Sequence, residues 1–374
     1  MRLLLLLVVT IWRDGLSRSG DVGGSGQPAP PVIDISPLLH ARRDAGAWDK
    51  ALHAETCEAI GRAARDVGFF YIVGHNVSVA LQQQLDSTAK RFFSLPVEEK
   101  RAIAMAHSGS TWRGYFSVGE ELTSGEVDQK EGLYFSREMP ATDARPLHGP
   151  NQWPSDPPAL QPAVLEYMSQ VEVVAAAVLR GLAISLGLSS DHFTDQFGSL
   201  PTLLFRIFHY PPHDPRYGAD STAVGEHTDY GYLTLLRQDD SGGLQIKSDA
   251  GGWVDAPPVP GSLVVNLGDA LEHATGGLLR ATPHRVAPRV GAKQGRLSFP
   301  LFFDPAFDAA MTSAEPLLSP EFQQAAAERR KTRPARWDGA RLDQFRGTYG
   351  QYLIRKVSKV FPELASQTQV EQDL

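Results

Sequence analysis

The chain has 374 residues, 42% hydrophobic and 21% charged, enough for one large domain or two around a buried core. A net charge of −7 and an isoelectric point near 5.9 argue against a nucleic-acid partner, which leaves a basic footprint. A single cysteine, Cys57, excludes an internal disulfide; its neighbours Ala54, Ala59 and Ile60 mark it as a small buried helix residue.

Residues 1–30 read as an extension. Behind Arg2, residues 3–12 form an apolar run shaped like the start of a signal peptide, too short to span a membrane and followed by no clean cleavage site. A start codon assigned upstream of a cytoplasmic protein gives the same pattern, and a cytoplasmic location is the expectation. Residues 20–31, rich in Gly, Ser and Pro, suit a flexible connector. Order should begin with the short strand signal at 31–35. Residues 48–67 place Leu52, Ile60 and Ala64 on one helical face, and the glycine-bounded run 69–73 is β-rich. A second amphipathic helix at 81–93 stops before Pro96. The longest helical pattern, 159–186, carries Val164, Val171, Val174, Val178, Leu182 and Leu186 near helical spacing and ends at Gly187. Region 31–195 is therefore expected to be mostly helical and to pack on a core.

After that the texture changes. Short apolar or alternating runs at 203–209, 232–237, 243–247, 262–267, 285–288 and 296–303 are separated by Gly, Pro and Asp. Many short strands joined by turns suggest a sandwich or jelly roll, expected over 196–310. Helical patterns return in 311–374, notably at 340–360. The predicted fold class is mainly β with flanking helices.

Chemistry concentrates in the core region. His227 and Asp229, at i and i+2 of an extended segment, point the same way. With His284 from a distant strand they supply two imidazoles and one carboxylate. That set is the facial triad of non-haem Fe(II) oxygenases, which leaves the opposite positions open for cosubstrate and O₂. Arg296 and Ser298 follow His284 by twelve residues (296 − 284) and share one strand face. An arginine fork matches a carboxylate through two parallel hydrogen bonds, so the pair suits the distal carboxylate of a dicarboxylic oxo-acid. Alternation along 203–210 puts Arg206 and Phe208 on the same face as Tyr210. A cation in an apolar mouth needs a partner: either an anionic group of substrate or cosubstrate, or a salt bridge at the barrel's end. Phe303 is a further candidate for the mouth. His209, His213 and His273 stand outside the metal set, and Glu98-Glu99 and Glu120-Glu121 read as solvated charges.

The segments 225–231 (Gly-Glu-His-Thr-Asp-Tyr-Gly), 266–269 (Asn-Leu-Gly-Asp), 282–286 (Thr-Pro-His-Arg-Val) and 296–299 (Arg-Leu-Ser-Phe) resemble the isopenicillin N synthase-like group of 2-oxoglutarate- and Fe(II)-dependent dioxygenases. The likeness extends to 31–35, 68–77, 93–100 and 149–154, and so covers most of the chain after the connector. It implies a double-stranded β-helix (jelly roll) with helical flanks, and His227, Asp229 and His284 as iron ligands. It further implies Arg296 and Ser298 on the C5 carboxylate of 2-oxoglutarate, with Tyr210, before Pro211-Pro212, helping to hold that cosubstrate. Arg113 and Tyr115 fall in a loop that lines the mouth in such proteins. Two departures stand out: Gly74-His75-Asn76 replaces a frequent Asn-His-Gly, and Phe208 occupies a position where asparagine is common. The implied reaction uses Fe(II), 2-oxoglutarate and O₂ to oxidise a small organic substrate, with hydroxylation as the default and succinate and CO₂ released. Alternatives are an iron oxidase of the same group that does not use 2-oxoglutarate, and a barrel binding protein without catalysis. Nothing in the residues specifies the primary substrate or the oligomeric state.

Overall fold

The structure, a computed structural model, describes residues 29–40, 53–123, 126–143, 145–195, 197–198, 200–212, 222–289, 291–332 and 347–360. The apolar run at 3–12, the connector up to 28, His213 and the start of the 340–360 helical pattern lie outside the described residues.

Strand alternation decides how the molecule divides into layers. The strands are β1 (Val32–Asp34), β2 (Phe69–Val73), β3 (Gly114–Phe116), β4 (Leu122–Thr123), β5 (Glu126–Val127), β6 (Glu131–Phe135), β7 (Thr202–Tyr210), β8 (Val224–His227), β9 (Leu233–Gln238), β10 (Leu244–Lys247), β11 (Trp253–Asp255), β12 (Leu263–Leu267), β13 (His284–Val286) and β14 (Arg296–Asp304). They form an eight-stranded sheet in the order β1-β2-β12-β9-β14-β7-β6-β3 and a four-stranded sheet in the order β11-β10-β13-β8, with β4 and β5 as a separate hairpin. The two sheets face each other across a cavity lined from both sides, a jelly roll with helical flanks. Region 31–195 contributes helices as expected, and also β1, β2, β3 and β6 to the large sheet. The last two of these were not anticipated from sequence.

Each long strand keeps two faces. On β14, Arg296, Ser298, Pro300, Phe302 and Asp304 line the cavity, while Leu297, Phe299, Leu301 and Phe303 are buried on the other side. On β7, Leu204, Arg206, Phe208 and Tyr210 face inward. Phe205 turns outward onto Tyr167, with ring centroids 5.3 Å apart.

Helices α1 (Ala54–Asp66), α2 (Val79–Phe93) and α3 (Leu160–Ser185) cover that outer face. The 26-residue α3 is long and apolar enough to cross a membrane, but Val164, Tyr167, Val171, Val178 and Leu182 are buried in the core. Each such side chain contributes about 1.5–3 kcal/mol through burial. Cys57 lies buried on α1, as its neighbours suggested. Further along, α4 (Asp269–Ala274) follows β12, α5 (Pro320–Thr332) lies near the chain's end, and α6 (Tyr349–Val360) covers the cavity.

Candidate metal centre and cosubstrate cavity

Backbone register brings the two histidines together. β8 pairs antiparallel with β13 so that His227 lies opposite His284, with ring centroids 4.3 Å apart. The strand ends at His227, so Asp229 does not continue it as the i, i+2 argument assumed; it sits just beyond, on the turn that follows. That turn is folded tightly against β12 and α4. Asp269 N–H donates to Asp229 O at 2.8 Å and Gly268 N–H to Tyr232 O at 3.1 Å. Both glycines are needed for this approach: a Cβ on Gly268 would collide with Gly231 O, and one on Gly231 would overlap Asp304 Oδ1.

The result is a set of ligand atoms from His227, Asp229 and His284 within 4.8 Å of one another. His227 Nδ1 lies 2.9 Å from Gly225 O and His284 Nδ1 3.2 Å from Thr282 O. Those contacts leave each Nε2 as the free nitrogen. Asp229 Oδ2 accepts from Thr234 Oγ1 at 2.5 Å and from Asn266 Nδ2 at 2.6 Å, which leaves Oδ1 open. Thr234 and Asn266 had no role assigned from sequence. Their signal is a polar residue on the cavity face of otherwise apolar strands. Desolvation, reinforced by the neighbouring His284, lowers the His227 imidazole to about 3, so its nitrogen lone pair is available at neutral pH. Burial works against the Asp229 carboxylate, but His284, His227, Thr234 and Asn266 together hold its pKa below the usual value. Two imidazole nitrogens and one carboxylate oxygen could hold Fe(II) and leave other positions open.

The cavity they border measures about 170 Å³. At one end, Arg296 is 1% exposed, and its Nε and Nη1 have no hydrogen-bond partner. Its guanidinium lies 4.8 Å over the Tyr210 ring, and Ser298 lines the same wall. The β14–β7 register sets Arg296 opposite Tyr210 and Ser298 opposite Phe208. A buried guanidinium with two nitrogens lacking acceptors is costly, and a carboxylate matches its planar fork. These residues therefore fit the distal end of a dicarboxylic acid.

At the opposite end, Arg206 lines the cavity and also faces Glu121, at 3.8 Å. Of the two alternatives drawn from sequence, the ion pair is present. Glu121 is not the solvated charge expected: it is 3% exposed, with Lys130 Nζ 2.8 Å from Oε2 and Tyr134 Oη donating to Oε1 at 2.6 Å. Lys130 also pairs with Asp128, and it lies 4.8 Å over the Phe208 ring.

Three residues expected at the mouth lie elsewhere. Phe303 is one residue out of phase with the cavity face of β14 and packs on Phe197 at 4.9 Å; Phe302 takes the lining position. Arg113 is buried at the far sheet edge and donates to Leu147 O at 2.6 Å. Tyr115, on β3, donates to Glu131 Oε2 at 2.6 Å and packs against Phe92. His209 faces away from the cavity, stacked on Phe93 and bonded to Glu131. His75, in the departing Gly-His-Asn turn, contacts Gly261 O and Val77 N rather than any ligand atom. The 340–360 pattern identified the helix but not its position: Leu353, Lys356, Val357 and Val360 of α6 line the cavity. Tyr349 Oη donates to Asp304 Oδ2 at 2.6 Å and Tyr352 Oη to Asp269 Oδ2 at 3.1 Å, which ties α6 to residues beside the Asp229 turn.

This fold and this site define a non-haem iron oxygenase. Residues 30–156 match the family model described as the non-haem dioxygenase in morphine synthesis N-terminal, and residues 201–305 match that of the 2OG-Fe(II) oxygenase superfamily. A protein of Dictyostelium discoideum named for an iron/ascorbate oxidoreductase activity is 41% identical, over 89% of this chain and 95% of its own. Homoarginine-6-hydroxylase of Glycine max is 34% identical, over 89% and 98% respectively. Among solved structures, a full-length Neurospora crassa protein in complex with alpha-KG superposes with a TM-score of 0.71 at 26% identity, covering 90% of this chain and 98% of that one. The chain belongs to the isopenicillin N synthase-like family of 2-oxoglutarate- and Fe(II)-dependent dioxygenases. It is an enzyme whose cofactor is Fe(II) and whose cosubstrates are 2-oxoglutarate and O₂.

Proposed function

We propose that the enzyme hydroxylates a small organic substrate, converting R–H, 2-oxoglutarate and O₂ into R–OH, succinate and CO₂. The observation that carries this reading is one cavity with two furnished sites: the His227–Asp229–His284 cluster on one wall, and the Arg296 guanidinium, whose Nε and Nη1 lack hydrogen-bond partners. In this account His227, Asp229 and His284 hold the iron, and Arg296, Ser298 and Tyr210 hold the cosubstrate's distal carboxylate. Iron and 2-oxoglutarate together supply the oxidising power, coupling oxidative decarboxylation to activation of O₂.

The protein's residues do the positioning. Nδ1 contacts fix both imidazoles, and Thr234 with Asn266 occupies one oxygen of Asp229, so a single carboxylate oxygen faces the metal. Phe208, Tyr230, Phe302, Leu353 and Val357 supply an apolar wall around the substrate's space and limit water there. Similarity to a hydroxylase supports hydroxylation, and Arg296, with Nε and Nη1 lacking acceptors, suits the carboxylate of a cosubstrate. Turnover under ¹⁸O₂, with a substrate found by anaerobic binding screens, tests the reading. One labelled atom should enter succinate and the other the product hydroxyl. Product free of label would point to desaturation or ring closure, and succinate production independent of substrate oxidation would reject the reading.

A further inference from the structure

Arg206 is placed as if an anion were missing from its edge. Its side chain is 16% exposed and projects into the cavity from β7, the strand between β14 and β6. Aromatic rings from both neighbouring strands flank it: Tyr134 of β6, with Cζ 4.3 Å from the ring centroid, and Phe302 of β14, at 4.7 Å. Rings on both sides leave the guanidinium's edge, with its in-plane N–H groups, as the surface for a ligand.

Nearby protein groups satisfy that edge only in part. Nε has no hydrogen-bond partner. Glu121, at 3.8 Å, is beyond hydrogen-bonding reach, and its own oxygens face Tyr134 and Lys130. Nor is Arg206 a second anchor for 2-oxoglutarate. It sits four residues along β7 from Tyr210, the partner of Arg296, which is about 13 Å of strand. In the proposed function the other end of the diacid held at Arg296 lies at the metal cluster.

Building on the proposed hydroxylation, we infer that the primary substrate is a small carboxylic acid. Its carboxylate pairs edge-on with Arg206, and its carbon skeleton lies along Tyr230, Phe302, Leu353 and Val357 toward the metal-binding cluster. A planar carboxylate matches the fork. A dianion is disfavoured by Glu121, which already stands beside the guanidinium. The cavity of about 170 Å³ must admit the cosubstrate as well, so the acid is small.

The test is a panel of aliphatic and aromatic C4–C9 carboxylic acids, each paired with its primary amide. Binding is read in two ways: by change in the charge-transfer absorption of the anaerobic Fe(II)–2-oxoglutarate protein, and by the ligand-induced shift in Tm, which needs no iron. At least one acid should bind the wild type ~10-fold or more tightly than its amide. Arg206→Gln should abolish that preference and Arg206→Lys keep part of it, with 2-oxoglutarate affinity unchanged in both. Acids and amides bound alike, no acid bound by either readout, or an undiminished preference in Arg206→Gln would overturn the inference. A wild type that shows the Tm shift but no charge-transfer band would instead count against the iron and cosubstrate assignments.

Discussion

The two ends of the cavity are built on different principles. At the metal end, short local segments do most of the work: a strand terminus, a glycine-dependent turn and one cross-strand pair set three ligand atoms within 4.8 Å. At the Arg206 end, a charge network joins Glu121, Asp128 and Lys130, from one short stretch, to Arg206 of β7 through burial and aromatic stacking. On the proposed reading, the first holds one ion and one diacid, and the second meets the substrate.

Substitutions can separate the two ends, and the largest effect belongs to the metal wall. His284→Ala should reduce succinate formation to background and abolish retention of iron, measured as metal per chain after desalting. Arg296→Ala should weaken 2-oxoglutarate by about 10- to 150-fold, the value of a charge-assisted hydrogen-bonded pair, while leaving Fe(II) binding intact. Isothermal titration with each ligand in turn separates these effects, and equal losses for both would contradict the division of roles.

Asn266→Leu or Thr234→Val should lower iron affinity about 10- to 100-fold by releasing Asp229 Oδ2, whereas Thr234→Ser, which keeps the hydroxyl, should stay close to wild type. A Thr234→Ser protein as impaired as Thr234→Val would show that packing, not the hydrogen bond, matters there. The two phenylalanines of β14 sharpen the contrast between faces. Phe303→Ala should cost about 3–5 kcal/mol of unfolding free energy with little change in substrate KM; Phe302→Ala should mainly change KM.

The effect furthest from turnover concerns Asp304, whose carboxyl is pushed up from 3.8 to about 7, chiefly by burial, despite hydrogen bonds from Tyr349 and Tyr232. Because the folded state binds this proton more tightly than the unfolded chain, its contribution is complete below about pH 4 and is lost as pH rises through 7. Asp304→Asn in metal-free protein should therefore lose less stability between pH 4 and 8 than the wild type, read from urea midpoints at each pH.

Legibility followed the same division. The residues that meet at the metal wall were visible because they are chemically distinctive, although His284 is remote in the chain, and α3 because its apolar period runs unbroken for 26 residues. Alternation from Arg296 and Ser298 selects Phe302 rather than Phe303; residue type alone does not, because both faces of β14 are apolar beyond Ser298. Glu121 looked solvated because a buried ion pair and a surface charge have the same sequence; only the fold brings Lys130 to it. Arg113 and Tyr115 lie in a segment whose strands β3 and β6 gave no clear pattern, and their pairing at the sheet edge turns both residues from the cavity. For α6, the apolar face was legible, but not that it would cover the mouth.

The central claim is tested most directly by titrating Fe(II) into anaerobic, 2-oxoglutarate-loaded protein and following the metal-to-ligand charge-transfer absorption. The account predicts that the wild type saturates at one iron per chain and that Asp229→Ala, still folded by circular dichroism, develops no saturable band. An equal band at equal stoichiometry in the Asp229→Ala protein would contradict it.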